Sequence, residues 1–77
     1  MDPMTHDQAF SWLTSGQSPA GTLVSNTRAR RLMSWARDVG AVHMTKGPDL
    51  AAPGHLLTFD HDTERYEAVA AGQAAGA

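Results

Sequence analysis

The chain predicts a small α+β domain: two or three helices first, then a short antiparallel β-hairpin or a three-stranded sheet. Three observations carry that expectation. Apolar residues recur at three- and four-residue steps up to Val39, Gly40 breaks the period, and from His55 the residues alternate as strands do. Seventy-seven residues allow one small domain with a thin margin of stability.

The elements follow in order. Thr5 has the character of an N-cap, and Gln8 three residues later completes a capping box. Ala9, Phe10 and Leu13 then mark one side of a helix over about 6–14, with Trp12 at its margin and Gly16 as a stop. The stretch SGQSPAGT (Ser15 to Thr22) is rich in turn residues, and Ser18-Pro19 can cap one short helical turn, so a middle helix would have to fall within 17–25. Ser25 or Asn26 caps the main helix, 26–39, and Gly40 ends it at C′. Its inward face is read as Ala29, Leu32, Met33, Ala36 and Val39, with Leu32 and Met33 at the centre. Ala41 to Met44 can form a short strand, followed by the loop TKGPDLAAPG. His55 to Phe59 is the clearest strand, Asp60-His61-Asp62-Thr63 has turn chemistry, and Arg65 to Val69 can return as a third strand. Residues 1–4 are expected to be a disordered N-terminus or tag remnant, 5–69 the domain, and 70–77 a disordered tail of small residues.

Bulk composition excludes several classes. There is no cysteine, hence no disulfide and no thiolate metal site. No apolar run approaches a membrane span, and MDPMTHDQ lacks the pattern of a signal peptide, so a cytoplasmic protein without membrane contact is expected. The net charge of −2 argues against coating nucleic acid by bulk attraction. The distribution differs from the total. Residues 26–46 set Arg28, Arg30, Arg31, Arg37 and Lys46 against Asp38 alone, whereas 49–67 set Asp49, Asp60, Asp62, Glu64 and Glu67 against Arg65 alone. A basic centre of this kind can meet phosphate while the acidic part faces away or meets a protein.

With the apolar face of helix 26–39 turned inward, Asn26, Thr27, Arg28, Arg30 and Arg31 remain on or near the outward side of its first turns. Arg pairs in bidentate fashion with guanine and Asn with adenine, so these residue types suit the reading of base edges in a major groove. The order of elements, Arg30-Arg31-Leu32-Met33 on the helix and Gly40-Ala41-Val42 at its exit resemble the winged-helix variety of helix-turn-helix domains, which place the reading helix just before a β-hairpin wing. HDQAFSWL and RARRLMSWARDVGAV are similar to DNA-reading domains at the ends of bacterial DNA translocases and to small phage- and plasmid-type regulators, over about residues 5–69. The resemblance implies that Asn26, Thr27, Arg28 and Arg31 point at the groove of double-stranded DNA and that Arg30 and Arg37 lean on phosphates. It also implies that the 45–54 loop, with Lys46, or the 60–64 turn lies near the backbone. So few basic residues bind weakly alone, so a homodimer is expected if DNA is the ligand.

The alternative class is a small protein-binding module or phage-type inhibitor of a larger host protein, using the acidic hairpin and the arginine face. Trp12 and Trp35 would be its anchor candidates, although most tryptophans in so small a domain are core or core-edge residues. Four histidines raise the question of a metal, and His43 and His55 could face one another across a strand pair. No pair has the i, i+4 spacing of a helical zinc site, so neither metal nor cofactor is expected. A nucleophile elbow, a phosphate loop and HExxH are all missing, and no enzymatic activity is expected.

Overall fold

Thr5 opens α1 (His6–Thr14) with both halves of the capping box: its hydroxyl accepts the Gln8 N–H at 3.2 Å, and the Gln8 side-chain carbonyl accepts the Thr5 N–H at 2.9 Å. The computed structural model describes residues 3–18 and 24–70. The short turn expected after Ser18 and the middle of segment 17–25 fall on residues 19–23, outside the described residues, as do 1–2 and 71–77 at the termini.

Of the two candidate caps, Ser25 starts α2 (Asn26–Val39): its hydroxyl accepts the Arg28 N–H at 3.1 Å. Gly40 ends the helix in the left-handed region at φ 92°, its N–H donating to the Ala36 carbonyl at 2.7 Å. The buried stripe is Ala29, Leu32, Met33 and Ala36. Val39, which periodicity places on that stripe, is instead 73% exposed. It stands at the flank of the stripe, about 60° around the helix from Ala36, on the side that borders the groove with Trp35 and Leu50.

Beyond Gly40 the chain forms β1 (Ala41–His43), β2 (His55–Asp60) and β3 (Arg65–Ala70), an antiparallel sheet in the order β1-β2-β3. Val42 lies opposite Leu57, and Phe59 opposite Tyr66. Val42, Leu57 and Tyr66 meet Ala9, Leu13, Leu32, Met33 and Ala36 in one hydrophobic cluster between helices and sheet. Two helices followed by a three-stranded antiparallel sheet is an α+β architecture, consistent with a winged-helix-like layout. Asp60 shapes the β2–β3 turn, its carboxylate accepting the Asp62 N–H at 2.8 Å, and Glu64 closes it at φ 55°. No helix among the described residues is long and apolar enough to cross a membrane.

The N-terminal boundary needs correction. Met4, assigned to the disordered 1–4 segment, is 8% exposed and bridges to β3. Its N–H donates to the Tyr66 carbonyl at 2.7 Å, and its own carbonyl accepts the Tyr66 N–H at 2.8 Å. An edge strand offers unpaired backbone groups, and Met4 satisfies two of them while burying its side chain. At the other boundary Ala70, counted with the tail, lies in β3 opposite His55.

The buried Tyr66 hydroxyl has no hydrogen-bond partner among the described residues. Burial pushes its pKa above the ordinary value of 10.0, and the Arg37 guanidinium partly offsets the rise. The unfolded chain therefore ionises first, so the stability tied to this group is complete below pH 10.0 and is lost as pH climbs toward the folded-state pKa. Tyr66→Phe is expected to keep the fold and to gain about 1 kcal/mol, because an unpaired buried hydroxyl is removed. It should also be less sensitive to alkali. Urea titrations of both proteins on either side of pH 10.0 measure this, and a large loss in the variant would mean that the hydroxyl has a stabilising partner.

Candidate nucleic-acid interface

At 3.6 residues per turn, α2 distributes its basic residues over three sides. Arg28 turns toward the 44–54 loop, where its Nη2 donates to the Thr45 carbonyl at 3.3 Å. Arg30 turns toward α1, its guanidinium carbon 5.4 Å from the Phe10 ring centroid. Thr27, Arg31 and Asp38 point away from the core. Asn26, Thr27, Arg30, Arg31, Arg37 and Lys46 are all exposed, and Arg28 is half-buried. Arg37 lies nine residues beyond Arg28, about 13 Å along the axis. There it lines a concavity with His6, Phe59, Glu64, Arg65 and Tyr66. The structure thus brings Arg28, Arg31 and Lys46 to the first half of α2 and leaves Arg37 at the other end.

His43 holds the loop that carries Lys46. Its ring is 2% exposed, and Nδ1 accepts the Thr45 and Lys46 N–H groups at 3.1 and 3.0 Å. Nε2 then carries the proton and donates to the Pro53 carbonyl at 2.8 Å, a tautomer assigned from these partners. The His43 and Gly47 backbones also exchange hydrogen bonds, at 2.8 and 2.9 Å. Gly47 packs beside the Trp35 ring, and Gly54 (φ 130°) beside the imidazole. The expectation that His43 and His55 face one another is corrected by the register: His43 lies opposite Leu56 and His55 opposite Ala70. Sequence reasoning misses this clamp. Its only sequence signal is a histidine at a strand end before a loop rich in Gly and Pro, which does not name its partners.

The charges are separated along α2. The first turn contains Arg28 and no acidic residue. Positive side chains at a helix N-terminus add to the positive end of the macrodipole, a placement that costs stability and favours anions. At the other end the Phe59 N–H donates to the Gly40 carbonyl at 3.1 Å, so the Asp60–Glu64 turn stands beyond the C-terminus of α2. The arginines form no ion pair with that turn among the described residues. Among the described residues the one contact at salt-bridge distance joins the α1 neighbours His6 and Asp7, at 3.4 Å.

The two tryptophans part company. Trp12 is buried in the core cluster, so it is corrected from partner-contact candidate to structural residue. Trp35 is half-buried and lines a groove of about 390 Å³ with Val39, Ala41, Val42, Pro48 and Leu50. Fold and surface together define a small α+β domain with a basic helix start, an acidic hairpin tip and an apolar groove. No family model matches the chain, and no curated protein or solved structure matches it.

Proposed function

We propose that this chain is a small DNA-binding regulator of phage or plasmid type, acting in the cytoplasm, that docks the first half of α2 in the major groove. The carrying observation is the separation of charge: Arg28, Arg30 and Arg31 occupy the positive end of α2 beside Lys46, with the acidic turn beyond its far end. Asn26, Thr27, Arg28 and Arg31 reach toward base edges, Arg30 toward phosphate, and Lys46 contacts backbone as the 44–54 loop acts as the wing. Arg37, beside Glu64 and Tyr66, is outside this set. The winged-helix resemblance supports the same reading. The exposed apolar groove favours a second one, a protein-binding module anchored by Trp35.

Titration of random-sequence duplex DNA across a salt series tests the first reading. Arg28→Ala/Lys46→Ala removes two cationic side chains from the interface and should flatten the salt dependence by about two units of slope, with the fold intact. Arg65→Ala, beside the acidic turn, should change little. A parent protein without DNA affinity at low salt would remove the DNA reading, and equal loss from both variants would reduce it to unspecific charge attraction.

A further inference from the structure

We infer that the groove between α2 and the 44–54 loop is the contact surface of a homodimer, in which two copies meet with their α2 helices antiparallel about Trp35. Val39, 73% exposed, and Leu50, 43% exposed, are the exposed large hydrophobic side chains among the described residues, and both line this groove. A domain with so thin a margin of stability gains nothing by leaving them in water. The charges beside the groove select the occupant. Arg31 and Asp38 share the outward stripe of α2 on either side of Trp35, seven residues and about 10 Å apart. Neither has an ionic partner among the described residues. A two-fold axis at Trp35 reverses the helix and brings Arg31 of each copy level with Asp38 of the other, so the surface is complementary to itself. Val39 and Leu50 supply the apolar contact, and the two ion pairs set its register.

The footprint on one small groove makes this a reversible dimer of the weaker class. It does not rest on the DNA reading. Where both hold, Arg31 serves the dimer, and the DNA-facing set narrows to residues nearer the start of α2.

Sedimentation equilibrium of the full chain without DNA, over a concentration series, tests the dimer. Val39→Asp/Leu50→Asp alters only exposed side chains and should leave the circular dichroism spectrum unchanged while the protein becomes monomeric. Asp38→Arg alone and Arg31→Asp alone should each weaken the dimer by about tenfold or more through like-charge repulsion. The double variant Arg31→Asp/Asp38→Arg should restore it to within a few-fold of the parent, since the swapped pair is again complementary. A parent that stays monomeric throughout the series overturns the proposal and gives the groove to a different protein. A dimer indifferent to Val39→Asp/Leu50→Asp, or a double variant weaker than both singles, overturns it as well.

Discussion

Leu32→Ala is expected to cost about 2–5 kcal/mol, a large part of what holds this chain folded. Leu32 is fully buried at the centre of the α2 stripe, inside the cluster formed by both helices and the sheet. Truncation removes transfer free energy and leaves a cavity that α1, α2 and β2 can close only by moving together. Total stability for 77 residues is on the order of 4–12 kcal/mol, so the variant should unfold at a much lower urea concentration or be partly unfolded without denaturant. Val39→Ala, at an exposed side chain of the same helix, should stay within about 0.5 kcal/mol when both are compared at concentrations where the chain is monomeric. Urea titrations followed by circular dichroism compare the two. An unchanged midpoint for Leu32→Ala, or equal losses for both, would mean that α2 buries a different face.

The contrast between Leu32 and Val39 shows what periodicity can and cannot reveal. Spacing identifies which residues share a side of a helix, because that is a property of the helix alone. Whether the facing elements also cover the flank of that side, where Val39 stands, depends on where other segments lie, which spacing does not contain. The same division runs through the rest of the fold. The Thr5–Gln8 capping box, the Ser25 cap and the Gly40 terminus are legible because their partners lie within four residues. The pairing of Met4 with Tyr66 spans most of the chain and depends on β3 presenting a free edge, so in sequence Met4 passes for a disordered end.

The candidate interface divides in the same way. That Asn26, Thr27, Arg28, Arg30 and Arg31 lie outside the core follows from the apolar stripe, and all are exposed or half-buried. That Lys46 stands near Arg28 is not legible, since it follows from a contact between Arg28 and Thr45 across 17 residues. Arg37 shares a sequence window with the other arginines, but helix rise carries it to the acidic end. Clustering in sequence overstates clustering in space.

Loss of the His43 clamp should release the 44–54 loop without unfolding the helices. His43→Phe keeps an aromatic ring in the buried site but accepts no hydrogen bond, leaving the Thr45 and Lys46 N–H groups and the Pro53 carbonyl without their present partner. Each buried polar group left unpaired costs about 1–3 kcal/mol, less where water can reach it, and these sites are only partly buried. A net loss of about 2–4 kcal/mol, concentrated in the loop, is expected. Gly54→Ala attacks the same clamp from the other side. A Cβ there would stand 2.9 Å from the His43 Nε2 at a backbone φ of 130°, so the loop must retreat from the ring or carry the strain. In both variants, amide exchange of Thr45, Lys46 and Gly47 should quicken while that of Leu32 and Met33 changes little. If the proposed DNA reading holds, affinity for duplex DNA should fall in both variants, because the loop positions Lys46 and its Thr45 carbonyl holds the Arg28 guanidinium. Unchanged protection of Thr45 and Lys46 in His43→Phe would show that the loop is held by the His43–Gly47 backbone pair and not by the imidazole. Protection lost equally throughout α2 would show instead that His43 supports the whole core, and the loop could not then be separated from the fold it extends.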